Sequence, residues 1–404
     1  YAQIGQSLGD AKFLVDGEGI QLGRTPRFHG QHIAVPRRGV AVHINAFNFP
    51  AWGFAEKAAC ALLAGMPVIT KPATATALTT ERCIELIVEA NILPEGALQL
   101  IVGNTGDLLD RLGPQDVLAF TGSADTAKML RSRDNLLASC TRVNVEADSL
   151  NAAVLGPDVT AGSPTFDLFI KEVAREITQK AGQKCTAVRR ILVPQERMDE
   201  VQAALISRLE KVVTGDPADP SVRMGPLATA NQLEDALRGI GELEKGARVV
   251  HGGAKRAEGK GYFLAPTLLR SDDARTAGPV HDREVFGPVA TLLPYDATSA
   301  AAAEVMAMGG GTLVTSVYSD DSAWIGDFLA RGASATGRVY IGSQSSEGET
   351  PGSGAALPQT LHGGPGRAGG GEELGGSVGL RLYMQRLAVQ GSKSLVDELA
   401  GVPS

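Results

Sequence analysis

The chain has 404 residues, enough for two or three domains with a large hydrophobic core. Hydrophobic residues make up 43% of it and charged residues 21%, and the net charge of −7 gives no reason to propose nucleic acid or an anionic membrane as a partner. No apolar run reaches the roughly 18 residues that a membrane span needs. The four cysteines are too sparse for a disulfide framework, which favours a reducing cytoplasm.

The first half of the chain alternates short apolar runs with helix-like segments. Residues 28–37 are typical of one arm of a β-hairpin. Helices are predicted over residues 51–64, with Pro50 at the start and Gly65 beyond the end, and over residues 76–91. Strands are predicted over residues 39–44, 67–71, 97–103, 117–123 and 141–147. Strands that alternate with helices predict a parallel, doubly wound α/β sheet.

The second half of the chain predicts another α/β unit. Helices are predicted over residues 165–181 and 196–213. Residues 343–376 are rich in Gly and Ser, which is typical either of a flexible linker or of an ordered loop between domains. Strands are predicted over residues 189–194, 261–270, 288–295, 311–318, 337–342 and, as a closing strand, 382–390.

Polar residues lie at or beyond the carboxyl ends of several predicted strands. These residues are Asn48, Lys71, Gly122, Ser123 and Glu146, and ligands of parallel sheets bind at that edge, so we expect a shared site. Within "FTGSADTAK" the Gly–Ser pair opens a helix, whose backbone N–H groups suit a phosphate. The GxGxxG fingerprint is absent there, so an ordinary Rossmann site is not predicted. Each residue alone has an ordinary explanation as a turn or a solvated side chain.

Cys185 lies in a polar, glycine-containing loop, where a thiol is accessible as a nucleophile. Glu146 is the candidate base if the fold brings this loop over the rim of the sheet. The alternative, from the residues alone, is an inert loop cysteine. The other three cysteines, Cys60, Cys83 and Cys140, are predicted to be small core residues. The six histidines show no metal-ligand spacing, so no metal site is predicted.

Six motifs stand in an order that resembles the aldehyde dehydrogenase superfamily. They are "FNFP" (47–50), "TKPA" (70–73), "FTGS" (120–123), Glu146, "GQKC" (182–185) and "EVFGP" (284–288). The resemblance covers nearly the whole chain. It implies a Rossmann-like cofactor domain, an α/β catalytic domain and a small β arm for oligomerisation. The family normally carries a longer segment before the first motif, so the chain is expected to be N-terminally truncated.

The resemblance implies a domain division and an assembly. We expect residues 1–37 to be the remnant of the N-terminal region with the oligomerisation hairpin, and residues 38–150 to be the cofactor-binding domain. Residues 151–365 are expected to form the catalytic domain, and residues 366–404 a C-terminal segment with the oligomerisation strand. A homodimer or homotetramer is implied.

The resemblance also implies the chemical roles of the matched residues. Cys185 matches the nucleophile, Glu146 the general base and Asn48 the amide that stabilises the oxyanion.

Four further matched residues are implied to bind a nicotinamide cofactor. Lys71 and Ser123, which follows Gly122, match positions for the adenosine ribose and the pyrophosphate. Glu284 and Phe286 match residues for the nicotinamide ribose and ring.

The preference between NAD and NADP is predicted from the residue three positions after Lys71. Relatives that prefer NAD often carry a glutamate there, whose carboxylate would repel a 2′-phosphate. This chain has Thr74, so NADP is predicted, with NAD also possible. The alternative is that Thr74 only caps the following helix.

Departures from the common family pattern indicate a branch. "EADSLN" (146–151), the tail at 361–376 and "YMQRLAVQG" (383–391) most resemble the branch that oxidises semialdehydes of coenzyme A thioesters in aerobic breakdown of benzoate or phenylacetate. The implied substrate is a small aldehyde linked to coenzyme A. Three alternatives stay open: a hydrolytic dehydrogenase for a simple aldehyde, an acylating enzyme that releases its product to coenzyme A, and a catalytically inactive NADP-binding relative.

Overall fold

The computed structural model describes residues 1–254, 260–346 and 348–401. The strands are β1 (Leu14–Gln21), β2 (Phe28–Pro36), β3 (Ala41–Ile44), β4 (Val68–Lys71), β5 (Leu98–Leu100), β6 (Val117–Thr121), β7 (Arg142–Glu146), β8 (Ala152–Leu155), β9 (Arg190–Pro194), β10 (Arg248–His251), β11 (Thr267–Arg270), β12 (Val289–Tyr295), β13 (Thr312–Tyr318), β14 (Thr336–Gly342), β15 (Leu361–Gly363), β16 (Glu372–Leu374) and β17 (Met384–Ser392). The α-helices are α1 (Ala2–Leu8), α2 (Trp52–Leu63), α3 (Ala77–Glu89), α4 (Ala124–Arg131), α5 (Asp134–Ala138), α6 (Pro164–Thr178), α7 (Met198–Leu209), α8 (Ala230–Leu243), α9 (Gly278–Asp282), α10 (Ser299–Ala307), α11 (Ser322–Gly332) and α12 (Lys393–Ala400). None of the helices in these ranges is long and apolar enough to cross a membrane.

The first sheet is the parallel, doubly wound sheet that the sequence predicts. Its five strands run in the order β5-β4-β3-β6-β7, and every neighbouring pair is parallel. Successive residues of β6 point to opposite faces: Val117 packs in the cluster with α2 and α3, and Leu118 in the cluster with α4 and α5. Both faces are therefore covered by helices, and the carboxyl ends of the strands lie along one edge.

The second sheet has seven strands in the order β10-β11-β12-β9-β8-β13-β14. Its pairs are parallel except for β10, which runs antiparallel to β11 at the edge. The predicted mixed α/β class is confirmed, because this sheet too is packed between helices. Helix α6 covers one face, through residues such as Phe169 and Val173, and α8 and α10 cover the other.

A third, three-stranded antiparallel sheet joins the two ends of the chain. Strand β2 pairs with β1 on one side and with β17 on the other, in register from Met384 opposite Pro36 to Ser392 opposite Phe28. The predicted strands at 28–37 and 382–390 therefore lie side by side.

The structure corrects several expectations. The strand predicted over 261–270 is limited to Thr267–Arg270, because Pro266 has no N–H for a sheet hydrogen bond. The helix predicted to residue 181 ends at Thr178. Cys140 is not a core residue: it is exposed in a turn with φ +50°, although Cys60 is buried and Cys83 half-buried. Strands β1, β8, β10, β15 and β16 and helices α1, α8, α9, α10, α11 and α12 were not predicted from the sequence.

The Gly-rich stretch 343–376 is an ordered loop within the described residues. It carries the short hairpin β15–β16 and passes over the carboxyl end of β7. Gly371 N–H donates to the Val145 carbonyl at 3.1 Å, and Ala147 N–H donates to the Ala368 carbonyl at 3.0 Å. A Cβ atom on Gly369 would lie 2.3 Å from the Val145 oxygen, so only glycine allows this approach.

Candidate active site

Two cavities meet at the carboxyl edge of the first sheet. The first has a volume of about 410 Å³ and the second about 590 Å³, and Asn48, Glu146 and Cys185 line both of them. The second cavity is also lined by the remaining predicted residues except Thr74, namely Lys71, Gly122, Ser123, Glu284 and Phe286. The structure therefore brings residues that are far apart in sequence to one place, with the thiol at the junction of two chambers.

The loop that carries Cys185 begins with an unusual backbone turn. After α6, the residues Lys180, Ala181 and Gly182 all have positive φ, at 54°, 52° and 68°. This left-handed run ends the helix and is strained for the two residues that have side chains. A Cβ on Gly182 would lie 2.1 Å from the Gly287 oxygen, so the glycine of "GQKC" is required by contact with "EVFGP".

Arg189 fastens this loop to the segment around Glu284. Its guanidinium donates to the carbonyls of Gly182 at 2.9 Å, Lys184 at 3.2 Å and Gly287 at 2.9 Å. The same group forms an ion pair with Glu284 at 3.2 Å, and Arg189 is only 4% exposed. One planar guanidinium therefore fixes the loop of the thiol relative to the second cavity. Nothing in the sequence pattern identified this residue.

Asn151 holds the other side of the same loop. Its amide nitrogen donates to the carbonyl of Cys185 at 2.7 Å and to that of Ala187 at 2.9 Å. Its oxygen accepts from the Val314 N–H at 3.0 Å and the Ser149 hydroxyl at 2.6 Å. The last residue of "EADSLN" is therefore a buried anchor for the loop.

Asn48 also contacts the loop of the thiol. Its amide nitrogen donates to the Gln183 carbonyl at 3.2 Å, so its N–H groups face the backbone just before Cys185. Asn48 lies in the turn after β3, and its backbone carbonyl accepts a hydrogen bond from the Lys180 ammonium. The ammonium of Lys180 lies 3.7 Å from the centre of the Phe49 ring. An amide in this place is able to donate to an oxygen anion that forms beside the thiol.

The Cys185 thiol is accompanied by a histidine that the sequence analysis did not single out. His362 Nε2 lies 3.9 Å from Cys185 Sγ and 3.2 Å from Glu146 Oε1. The ring N–H is not aligned on Oε1, so the contact with Glu146 is an ion-pair contact and not a well-formed hydrogen bond. His362 lies in β15, where "LHGG" departs from the family's phenylalanine-glycine-glycine pattern. That departure was the one available signal.

Burial and neighbouring charges shift the pKa values of Cys185, Glu146 and His362 in different directions. Burial raises the pKa of the Cys185 thiol to about 11, and the Glu146 carboxylate adds to this effect. Burial by itself raises the pKa of Glu146, but the positive charges of His362 and Lys57 outweigh it and hold that pKa at about 2. Burial lowers the pKa of His362, and the carboxylate of Glu146 more than reverses this, so it lies well above the usual range.

A buried ionic cluster adjoins these groups, and two of its three members, Glu56 and Lys57, line the first cavity. The Lys57 ammonium lies 3.1 Å from Glu373 and 3.5 Å from Glu56, and all three side chains are almost wholly buried. Burial lowers the pKa of Lys57, but the two carboxylates outweigh this and raise it. Burial raises the pKa of Glu56 to about 7. The cluster brings two carboxylates and one ammonium to the wall behind Glu146.

The second cavity has the features of a dinucleotide site. Ser123 caps α4, because its hydroxyl accepts from the Thr126 N–H at 3.3 Å, and the Gly122 N–H donates to the Glu146 carbonyl at 3.1 Å. The Asp148 carboxylate accepts from the first N–H of α4, at Ala124, so one donor of this helix terminus already has an anionic partner. The cavity volume and the helix terminus at the carboxyl edge fit a nicotinamide dinucleotide.

Glu284 and Phe286 form the far wall of this cavity. Burial raises the pKa of Glu284 to about 7, against the opposing effect of Arg189, and its carboxylate also accepts from the Ser149 N–H at 3.0 Å. The Phe286 ring meets Phe47 of "FNFP" edge to face, with 5.9 Å between the ring centres. Two of the sequence motifs therefore contact each other directly.

Of the two residues predicted to set the cofactor preference, only Lys71 lines the second cavity. Lys71 ends β4 and lines the second cavity, but Thr74 is exposed in a short 3-10 turn that precedes α3. The cap position of α3 is Thr76, which makes no capping hydrogen bond through its side chain. The alternative role of Thr74 as the cap of that helix is therefore wrong.

Comparison with known proteins agrees with this geometry. Residues 8–389 match the profile of the aldehyde dehydrogenase family. The chain is 46% identical over 371 residues to a 3,4-dehydroadipyl-CoA semialdehyde dehydrogenase of Aromatoleum evansii, a match that covers 90% of this chain and 72% of that protein. It is 41% identical over 174 residues to the protein MaoC of Klebsiella aerogenes, which covers 43% of this chain and 52% of that one.

Solved structures show the same fold. A betaine aldehyde dehydrogenase of Staphylococcus aureus in complex with NAD+ aligns with a TM-score of 0.80 and 27% identity, over 93% of this chain and 71% of that one. A lactaldehyde dehydrogenase aligns with a TM-score of 0.80 and 26% identity, over 93% of this chain and 74% of that one. The profile match and the extent of the similar sequences show that this chain belongs to the aldehyde dehydrogenase family.

Proposed function

We propose that the protein oxidises an aldehyde to a carboxylic acid through a thioester on Cys185, with a nicotinamide cofactor as the hydride acceptor. The observation that carries this proposal is the position of the Cys185 thiol and the Glu146 carboxylate at the junction of the two cavities. A reaction between an aldehyde and a dinucleotide needs a nucleophile that faces both. The first cavity is assigned to the aldehyde and the second to the cofactor.

The residues of the site divide the reaction between them. The Cys185 thiol gives its proton to Glu146, which passes it to solvent, and the thiolate attacks the aldehyde carbonyl. The Asn48 amide donates to the oxygen anion that forms, a contact of a kind worth about 2.7–4 kcal/mol. A bound nicotinamide ring would supply the acceptor for the hydride that leaves the carbon attached to sulfur. Glu146 then takes a proton from the water that attacks the thioester, and the acid leaves as Cys185 is regenerated. The positive charges of His362 and Lys57 hold the pKa of Glu146 at about 2, against the effect of burial, and this weakens it as a base.

The cofactor is proposed to lie against the residues of the second cavity. Lys71 would bind the adenosine ribose, Gly122 and Ser123 the pyrophosphate, and Glu284 and Phe286 the nicotinamide ribose and ring. Their arrangement along the carboxyl edge supports this order.

We propose a preference for NADP over NAD, supported by the absence of a carboxylate at Thr74 and the ammonium of Lys71 at the edge of the cavity. Thr74→Glu is expected to weaken NADP binding by about 1–3 kcal/mol and NAD binding much less, because the new carboxylate repels the 2′-phosphate. Thr76→Glu, two residues further along the same turn, is the control. Dissociation constants measured by fluorescence titration for both cofactors test the proposal, and tighter binding of NAD by the unmodified protein would contradict it.

The proposed substrate is the semialdehyde of a coenzyme A thioester, in the aerobic breakdown of an aromatic acid. Similarity to the 3,4-dehydroadipyl-CoA semialdehyde dehydrogenase supports this choice. A second support is the charge at the first cavity: Arg175 and Lys180 line it and are partly exposed, whereas Lys184 is neutralised by Glu176 at 2.7 Å. Both side chains keep part of their surface in solvent although each has protein partners, Arg175 the Pro351 carbonyl and Lys180 the Asn48 carbonyl, and cations in this place suit the phosphates of coenzyme A.

Steady-state kinetics with matched aldehydes test this substrate. We expect a higher kcat/KM for a coenzyme A-linked semialdehyde than for the free semialdehyde of the same chain length. Lys180→Gln should raise the KM of the linked substrate by about fivefold, the effect of one exposed ion pair of about 1 kcal/mol. Lys171→Gln, on an exposed position of α6, is the control. Equal kcat/KM values for both aldehydes would favour the dehydrogenase of a simple aldehyde, and an absolute requirement for free coenzyme A would favour the acylating enzyme.

We also propose that the three-stranded sheet forms part of a homodimer or homotetramer interface. Large apolar side chains are exposed on β1 and β2, namely Val15 at 43%, Ile20 at 50% and Phe28 at 44%, and Leu22, directly after β1, is 47% exposed. An apolar patch of this kind is typical of an interface. Sedimentation equilibrium should give a mass of at least two chains, and Ile20→Lys should shift it towards one.

A further inference from the structure

We propose that Cys185, His362 and Glu146 form a binding site for a zinc ion, and that the ion reversibly blocks the nucleophile. The blocking half of this inference rests on the proposed function, whereas the binding half does not. The ligand atoms of the three residues, one thiol sulfur, one imidazole nitrogen and one carboxylate oxygen, all lie within 4.8 Å of one another. The sequence spacing of the histidines gave no sign of this group, because His362 lies 177 residues from Cys185 along the chain.

Two of the three distances between these atoms are close to those of a tetrahedral zinc site. Zinc bonds of about 2.3 Å to sulfur and about 2.0–2.1 Å to nitrogen or oxygen separate sulfur from nitrogen by about 3.6 Å, and nitrogen from oxygen by about 3.4 Å. The structure has 3.9 Å from Cys185 Sγ to His362 Nε2 and 3.2 Å from His362 Nε2 to Glu146 Oε1. Both separations are therefore within a few tenths of an ångström of the tetrahedral values, and the sulfur and a carboxylate oxygen lie within 4.8 Å of each other.

The orientation of His362 distinguishes this group from a hydrogen-bonded catalytic triad. In such a triad the two ring nitrogens serve different partners, one the nucleophile and the other the carboxylate. Here a single nitrogen, Nε2, faces both the thiol and the carboxylate. One N–H cannot point at both, and the buried Oε1 of Glu146, a residue only 3% exposed, has no aligned hydrogen-bond partner. An ion bound to all three atoms satisfies that oxygen.

The surroundings favour a doubly charged cation and leave it a fourth ligand position. The neighbouring buried cluster has two carboxylates, Glu56 and Glu373, for the single ammonium of Lys57, and Glu146 adds a third carboxylate. Cys185, His362 and Glu146 also line the first cavity, so a water molecule is able to reach the ion. Three protein ligands and one open position are the usual arrangement of a non-structural zinc site.

Binding has a defined chemical consequence. The thiol gives up its proton as sulfur becomes a zinc ligand, and the imidazole nitrogen must be unprotonated, so binding releases protons and weakens as the pH falls. The lone pair of sulfur that would attack the aldehyde is then held by the ion, and Glu146 is no longer available to water. A chelator returns both groups to their free state.

Cobalt and zinc titrations of the metal-free protein test the binding half without reference to activity. We expect Co²⁺ to produce a thiolate-to-cobalt charge-transfer band, which an equivalent of Zn²⁺ removes, and Zn²⁺ to protect Cys185 from iodoacetamide. His362→Gln should weaken Zn²⁺ binding by more than about 100-fold, because even residues outside the ligand set contribute about 10–100-fold. His251→Gln, on the edge strand β10, should bind as the unmodified protein does. Absence of the band, or equal Zn²⁺ affinity in the His362 variant and its control, would overturn the site.

Activity assays test the blocking half separately. One equivalent of Zn²⁺ should abolish aldehyde oxidation, and a chelator should restore it. The assayed protein is one that has shown the cobalt band and has then been loaded with Zn²⁺. If this zinc-bound protein oxidises the aldehyde at the full rate, the ion does not block the nucleophile. A different result would show that the proposed function is wrong. In that case Cys185→Ala would still oxidise the aldehyde, although it lacks the cobalt band.

Discussion

Arg189→Lys is the sharpest test of how the thiol is positioned. The guanidinium of Arg189 makes four contacts, three with carbonyls on two segments and one with the carboxylate of Glu284. A lysine ammonium keeps the charge but carries its donors on one atom, so it cannot bridge both segments. At least two charge-assisted hydrogen bonds are lost, at about 1.5–3 kcal/mol each. We therefore expect the free energy of unfolding to fall by about 3–6 kcal/mol.

The same change should slow catalysis, because the loop of Cys185 loses its anchor to Gly287. A displacement of the thiol by about 1 Å is enough for a loss of kcat of about 100-fold. Equilibrium urea unfolding and steady-state kinetics at a temperature where the variant is folded measure the two effects. Arg248→Lys is the matched control, since its ion pair with Asp272 is exposed and should contribute less than about 1 kcal/mol. If Arg189→Lys behaves like this control in both assays, Arg189 does not position the loop.

Three further predictions concern the thiol, the base and a buried carboxylate. Cys185→Ala should abolish oxidation while Cys83→Ala keeps it, and a Cys185 variant with normal turnover would refute the thioester route. Glu146→Gln should lower turnover by about 10²–10⁴-fold with little change in cofactor affinity, and mass spectrometry should detect the accumulated thioester. Burial raises the pKa of Glu284 to about 7 in the folded protein from its ordinary value of 4.5, so the folded state binds the proton more tightly, and this group's contribution to stability falls as the pH rises from 4.5 to 7. Urea unfolding at pH 5 and pH 8 should show that Glu284→Gln removes this fall, and an unchanged pH dependence would contradict the assignment.

Local sequence pattern was sufficient for the first sheet and for one edge of the site. Buried strands such as β3 and β6 are short apolar runs bounded by turn residues, and their alternation with helices allows only a parallel arrangement. Because the carboxyl ends of parallel strands share an edge, Asn48, Lys71 and Glu146 were expected together, and the structure places them along one cavity. Motif order then identified the family, which the comparisons confirm.

The remaining elements depend on contacts that no local pattern encodes. Strand β8 lies centrally in the second sheet, between β9 and β13, and no helix separates it in the chain from β7, so the alternation of strands and helices did not reveal it. The Gly-rich stretch is ordered because its backbone packs against Val145, a contact across more than two hundred residues of chain. Composition alone left a linker and an ordered loop equally open.

The sequence by itself determined the family, the parallel α/β architecture and the identities of Cys185, Glu146 and Asn48 as candidates, because each follows from neighbouring residues or from motif order. Only the tertiary structure decided that His362 lies between the thiol and the carboxylate, and that Arg189 holds the loop of the thiol in place. Histidine and arginine carry no spacing signal when they act alone. Their roles arise from distance and burial, which exist only once segments far apart in the chain have packed together.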